Sequence, residues 1–237
     1  MNEALDKLTA LPGGRPPALV VFDLDDTLIS GNSCTYWADF LKTKGCGVGP
    51  EWDRIAEEML ALYAAGTLDI HDYLRKSVRA YGHFTREERD RLVSEFIDTR
   101  LADKVYPEAL GVIARLRERG IPMMIVSASN AFVVRPVAKR LFDIDASIGV
   151  ELEEDEEGRL TGEIVGTPSF QEGKIHCVEE RLAGQGVDWN DVLFFTDSRN
   201  DIPLARAAAK TVCINPDETL GRLAAEKGWP VLAWRAK

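Results

Sequence analysis

Nowhere does this chain run for the roughly 20 consecutive apolar residues that a helical membrane span requires, so the sequence offers no membrane-crossing segment. The start, Met1 to Gly14, is mixed polar and lacks the hydrophobic region of a secretion signal, which makes the cytoplasm the expected compartment. Cysteine is scarce and scattered: Cys34, Cys46, Cys177 and Cys213 form no CxxC pair, so reduced thiols are expected rather than disulfides or zinc. Histidine is scarcer still, and His71, His83 and His176 show no ligand spacing. Positive charge is in deficit, with 29 Lys and Arg against 39 Asp and Glu and a net charge of -10. That balance argues against nucleic acid or an anionic membrane as partner. Internal repeats and low-complexity tracts are missing too, and nothing specifies an oligomeric state. What remains is a chain of 237 residues, 45% hydrophobic and 29% charged, enough for one large globular domain or one carrying an insertion.

Against that background one feature stands out. The apolar run Ala18-Leu19-Val20-Val21-Phe22 delivers Asp23 and Asp25, then Asp26-Thr27-Leu28. Side chains at i and i+2 of a strand leave on the same face. Two carboxylates pressed together where water is scarce raise each other's pKa and tend to lose charge. A divalent cation between them removes the difficulty, and a hard cation such as Mg²⁺ is commonly completed by a substrate phosphate.

Residues 1–17 read as a frayed or loosely docked start and the first strand as 18–24. Helices are expected at 33–44, 51–65, 69–81 and 85–103, the last opened by a Thr85 to Glu88 capping box. From Pro107 onward helices and strands alternate: helix 107–119, strand 122–126, a helix opened by Asn130, a hairpin over 148–165 turning at Glu156-Glu157-Gly158, helix 171–183, strand 192–195, helix 202–209 and strand 211–214. Apolar, unalternating strands between helices indicate a parallel sheet covered on both faces. The expected fold is therefore α/β, a doubly wound Rossmann-like parallel sheet with a helical cap inserted after its first strand. The division is 16–30 and 106–237 for the core, and 31–105 for the cap.

In such sheets ligands bind at the carboxyl ends of the strands. The first strand delivers Asp23, Asp25 and Thr27; strand 122–126 delivers Ser127, then Ala128, Ser129 and Asn130. Lys174 lies in the opening turns of the helix after Gly166-Thr167-Pro168, and Ser169 to Glu172 reads as that helix's capping box. The strand ending at 196 delivers Asp197, then Asn200 and Asp201. Any one of these could be a helix cap, a turn former or a surface lysine. Gly173-Lys174 is no P-loop, because six residues separate Gly166 from Gly173 and Ile175 follows the lysine.

Taken together and in order, Asp-x-Asp-x-Thr, a later strand ending in Ser, a Gly-Lys and Thr-Asp-Ser-Arg-Asn-Asp resemble the haloacid dehalogenase superfamily of phosphohydrolases, over about residues 19 to 216. The position of the helical insert is similar to that in the subclass containing phosphoserine phosphatase. The resemblance implies a Mg²⁺-dependent phosphatase acting on a small phosphorylated metabolite through an aspartyl-phosphate. Asp23 is the implied nucleophile and Asp25 the acid and later base. Asp23, the backbone carbonyl of Asp25, and Asp197 are the implied metal ligands, with Asp201 as a further ligand or outer support. Ser127 and the N–H groups beside Ala128 would hold phosphoryl oxygens, and Lys174 would supply charge to both Asp23 and the phosphate. Thr27 and Asn200 would orient the phosphate or support it from behind.

Substrate identity is less closely implied. Phosphoserine phosphatases that this chain resembles carry a glutamate where Asn32 stands and a cap arginine where Ser77 stands, and both departures weigh against phosphoserine. The Thr-Asp-Ser-x-Asn-Asp stretch is similar to that of histidinol-phosphate phosphatases. The aromatics of the insert, including Tyr36, Trp37, Trp52, Tyr63, Tyr73 and Tyr81, can form its own core or shape a pocket. Two other readings share the residue set: a phosphotransferase using the same intermediate, and a phospho-accepting signalling domain.

Overall fold

The computed structural model describes residues 2–236. The strands β1 (Leu19–Phe22), β2 (Met123–Asn130) and β3 (Ser147–Val150), followed by β6 (Val192–Thr196), β7 (Lys210–Ile214) and β8 (Val231–Leu232), form one sheet of order β3-β2-β1-β6-β7-β8. Every pairing in it is parallel. Strands β4 (Leu152–Glu154) and β5 (Leu160–Ile164) form a separate antiparallel hairpin.

The apolar strands are continuous because both faces of the sheet are covered. Within β1, Val20 and Phe22 join one buried cluster while Leu19 and Val21 join another, so alternate side chains enter different cores. The first cluster takes Val112 and Leu116 of α6 (Pro107–Glu118) and Val134 and Val137 of α7 (Ala131–Phe142). The second takes Val178 of α8 (Glu172–Leu182) and Leu204 of α9 (Ile202–Ala207). Each such buried side chain contributes about 1.5–3 kcal/mol of transfer free energy.

Between β1 and α6 lie helices α2 (Ser33–Thr43), α3 (Pro50–Ala65), α4 (Ile70–Val78) and α5 (Arg86–Phe96). The chain enters and leaves this stretch side by side: Ile29 bridges Val105, Ser30 N–H donates to the Lys104 carbonyl at 2.8 Å, and Tyr106 N–H to that of Leu28 at 3.1 Å. The Thr85–Glu88 capping box makes both of its bonds. The long helix expected over 85–103 instead loosens after Phe96 into a π-type turn, Ile97–Leu101, and a 3₁₀ turn, Ala102–Lys104.

Four further expectations are corrected. The start of the chain is docked, as α1 (Asn2–Thr9), because Arg115 grips Asp6 through two bonds of 2.8 Å and the Lys210 ammonium donates to the Leu8 and Ala10 carbonyls at 2.7 Å. The region 148–165 is not one hairpin, since its first part is the edge strand β3. Gly149 permits this: a Cβ there would sit 2.7 Å from Ala131 Cα, so β3 can approach the start of α7 only without a side chain. The strand expected to end at 126 continues to Asn130 with a register irregularity, and Asn130 makes no side-chain cap for α7. Ser169 does not cap α8 either, because its hydroxyl donates to the Ser127 carbonyl at 2.6 Å. Two elements close the chain beyond those expected, α10 (Glu218–Lys227) and β8.

Candidate active site

The strand order reverses at β1, with β2 and β3 on one side and β6 to β8 on the other. Such a switch point opens a crevice at the carboxyl ends of the adjoining strands. Phe22 pairs with Phe195, and Asp23 N–H donates to the Phe195 carbonyl at 2.9 Å, so Asp23 and Asp197 emerge next to each other. Asp26 then turns the chain at φ 54°, its carboxylate accepting from Gly31 N–H at 2.7 Å.

Lys174 is buried and reaches in from α8, placing its ammonium 2.7 Å from Asp23 Oδ1 and 2.6 Å from Asp201 Oδ1. Burial alone would lower its pKa, but Asp201 and Asp23 outweigh that and hold it above the ordinary lysine value. Asp201 is fixed by Thr196, whose hydroxyl donates to Oδ2 at 2.8 Å, so both of its oxygens are engaged. Burial pushes Asp23 up to about 7 despite Lys174, with Asp201 and Asp25 adding repulsion. Asp197 is raised well above the carboxylate range by burial and by the charges of Asp23 and Asp201. It accepts from Thr27 Oγ1 at 3.2 Å and forms no ion pair among the described residues. One lysine thus faces three clustered carboxylates.

Asp25 is held apart from that cluster. Ser33 N–H donates to Oδ1 at 2.6 Å and Ser129 Oγ to Oδ2 at 2.8 Å. Burial raises its pKa even so. Ser129 also lies 2.8 Å from Ser33 Oγ and 3.2 Å from Cys34 Sγ. Cys34 is therefore more than a small hydrophobe, although burial and Asp25 push its thiol up to about 11 and keep it protonated.

The remaining expected residues are distributed around these. Ser127 is buried within β2, its Oγ accepting from Ser129 N–H at 3.1 Å. Ala128, Asn32, Asp23 and Asp25 line a pocket that runs between the sheet edge and helices α2 to α4. Asn32 caps α2 by accepting from Thr35 N–H at 3.1 Å. Asn200 points its amide away from the carboxylates, donating to the Tyr63 carbonyl of α3 at 3.1 Å, while Gln171 donates to the Gly66 carbonyl at 3.1 Å. These two bonds tie the helical insert to the sheet edge.

Residues outside the expected set contribute as well. Ser129 and Ser33 orient Asp25, and Tyr63 brings a phenol raised by burial and by Asp201, Asp23 and Asp197. For Ser129 the signal lies in Ser127-Ala128-Ser129-Asn130, where either Ser129 or Asn130 also has the position of an N-cap.

The donors are all oxygen, as Mg²⁺ prefers. Among the described residues no three Asp, Glu, His or Cys side chains are already drawn together to hold a metal unaided. Two carboxylates with a backbone carbonyl still suit an ion that keeps its other positions for water and phosphate. The excess negative charge at Asp23 and Asp197 fits a cation there.

The haloacid dehalogenase-like hydrolase model matches residues 20–206. A histidinol-phosphatase of Neisseria meningitidis is 34% identical over 92% of this chain and 99% of its own. A Bordetella pertussis protein of unknown function superposes with TM-score 0.81 at 32% identity, over 90% of this chain and 97% of that one. A phosphoserine phosphatase holding an analogue of the phospho-aspartyl intermediate superposes with TM-score 0.67 at 19% identity, over 92% and 94% of the two chains, and shares the fold. This chain belongs to the haloacid dehalogenase-like hydrolase family and is an enzyme of its phosphatase type.

Proposed function

We propose that this protein hydrolyses the phosphomonoester of a small metabolite through an aspartyl-phosphate on Asp23, with Mg²⁺ as cofactor. The observation that carries the reading is the buried Lys174 bridge from Asp23 to Asp201, beside an Asp197 that forms no ion pair among the described residues. Enzymes of this family generally use Mg²⁺. Here Asp23, the backbone carbonyl of Asp25, and Asp197 would hold it, with Asp201 acting from outside through Lys174. The ion would offset repulsion between the Asp23 carboxylate and an incoming phosphate dianion.

An Asp23 oxygen attacks phosphorus while the bond from phosphorus to the alcohol oxygen breaks. Asp25 delivers its proton to that oxygen, and its raised pKa suits it to carry one. Asp25 then takes a proton from water as the water attacks the phosphorus of the aspartyl-phosphate, releasing inorganic phosphate and restoring Asp23. Ser127 and the N–H groups around Ala128 hold the equatorial oxygens, and Lys174 balances charge throughout. Residues 31–105 act as a cap over the site, tethered through Asn200 and Gln171.

Histidinol phosphate is the first substrate to try, on the strength of the Neisseria relative's name. No helix of the described residues is long and apolar enough to cross a membrane. The unbridged thiols of Cys34, Cys46, Cys177 and Cys213 go with a reducing cytoplasm. The test is phosphate release from p-nitrophenyl phosphate and histidinol phosphate with Mg²⁺. Asp23→Asn should lose at least about 10³-fold in kcat, given how little of phosphoryl transfer survives without its acceptor. Wild-type activity in Asp23→Asn would refute the mechanism.

A further inference from the structure

Helix α3 is 16 residues long, yet Ile55 is its one fully buried residue. Its apolar face recurs at helical spacing, Trp52, Ile55, Ala56, Met59, Leu60 and Tyr63, and all six line the pocket above Asp23 and Asp25. A face with that period ordinarily packs against a core. This one instead forms the wall of a cavity of about 130 Å³ that opens to solvent. Leu60 is left 47% exposed.

The same pocket is poor in charge. Outside Asp23 and Asp25, its charged lining residues among those described are Asp39 and Lys42. Lys42 is the only cation, and it is already matched by Asp53 at 2.9 Å and Asp39 at 3.5 Å. Of the arginines flanking Ser77, Arg75 pairs with Glu163 through bonds of 3.0 and 3.2 Å, and Arg79 pairs with Glu51 at 3.2 Å while its guanidinium lies 5.6 Å over the ring of Trp52. Ser77 and Asn32, which do line the pocket, are neutral. The wall's unused hydrogen-bonding atoms are neutral as well, since Trp37 Nε1 and Asn130 Oδ1 are buried without a partner.

We propose that the cap pocket selects phosphomonoesters whose alcohol portion carries no carboxylate and presents an apolar or planar surface to α3. The proposal rests on the phosphatase reading and adds its substrate class. A carboxylate brought here would lose water and gain no cation, and it would face Asp39 at the rim. Such an unpaired buried charge is penalised by more than the 1–3 kcal/mol or so of a neutral orphan. An amine is tolerated, because the lining holds three acids, Asp23, Asp25 and Asp39, and one lysine that Asp53, outside the lining, already pairs.

The experiment compares kcat/KM for three primary phosphates with Mg²⁺: O-phosphoserine, O-phosphoethanolamine, which lacks only the carboxylate, and 2-phenylethyl phosphate. Phosphoethanolamine should exceed phosphoserine by about tenfold or more, the factor that an orphaned group of that kind implies. 2-Phenylethyl phosphate should equal or exceed phosphoethanolamine. Asp39→Lys, at an exposed position, should narrow the gap between phosphoserine and phosphoethanolamine by raising the former. Met59→Glu, on the half-buried pocket face, should depress 2-phenylethyl phosphate more than phosphoethanolamine. Phosphoserine turned over as well as phosphoethanolamine overturns the proposal, as does a gap that Asp39→Lys leaves unmoved. Failure to hydrolyse any of these esters or p-nitrophenyl phosphate would instead remove the phosphatase reading, and this inference with it.

Discussion

Ser129 Oγ donates to Asp25 Oδ2 at 2.8 Å, so β2 fixes the orientation of an acid that the turn after β1 delivers. Together with the 2.6 Å bond from Ser33 N–H, this leaves Asp25 one rotamer and directs it into the pocket. If Asp25 protonates the departing alcohol, Ser129 matters most where the leaving group is poor. Ser129→Ala should lower kcat for an alkyl phosphate by about tenfold, a fraction of the 10²–10⁴ that a positioned acid supplies. With p-nitrophenyl phosphate, whose leaving group scarcely needs a proton, the loss should be much smaller. Equal losses on both substrates would show that Ser129 acts on folding or phosphate binding rather than through Asp25.

Lys174 balances Asp23 and Asp201 from a buried position, and its removal leaves both acids without a counter-charge. Lys174→Met keeps much of the side chain's volume and deletes the charge. Breaking a buried pair in this way costs about 3–5 kcal/mol, and the carboxyls can recover part of that by taking up protons. Denaturant unfolding without Mg²⁺ should therefore show a larger deficit at pH 8 than at pH 5.5. A deficit independent of pH would mean that the acids are not what Lys174 serves.

The parts of this architecture that rest on local pattern were legible from residues alone. Val20-Val21-Phe22 and Val192 to Phe195 announce strands covered on both faces because no polar side chain interrupts them. Acids at the ends of two such strands then converge once the strands pair. What long-range partners decide was not legible. Helix α1 is held by Arg115 and Lys210, each more than 100 residues away in sequence. Ser169 has the spacing of a capping box, yet its hydroxyl meets the Ser127 carbonyl across the fold. Ser129 looked like a cap for the same reason, since a serine's local bonds can be guessed and its distant ones cannot. The insert's aromatics do both things foreseen for them: Trp37 stacks with Phe40 in a buried cluster and also lines the pocket.

Burial raises the carboxyls of Asp23 and Asp197, and the charges of the neighbouring acids add to it. Asp23 lies near 7 in the folded protein, against 3.8 for a free aspartate carboxyl, and Asp197 is raised in the same direction. Between those values the folded chain holds a proton that the unfolded chain has released. Unfolding then releases protons, and the metal-free protein loses stability as pH rises from about 4 to about 7, by up to about 1.4 kcal/mol per pH unit for each such group. Mg²⁺ reverses this by binding the deprotonated acids in the folded state alone, so its stabilisation grows where the protons have left. The midpoint of thermal unfolding in EDTA should fall between pH 5.5 and pH 8, while the increment from 5 mM-scale Mg²⁺, an estimate of the order needed to exceed a weak Kd, should be small at pH 5.5 and several degrees at pH 8. Asp197→Asn removes one of the clustered charges and one proposed ligand together. It should flatten the pH dependence of the metal-free protein and abolish most of the Mg²⁺ increment, whereas a Mg²⁺ increment that is the same at both pH values would separate the ion from these carboxylates.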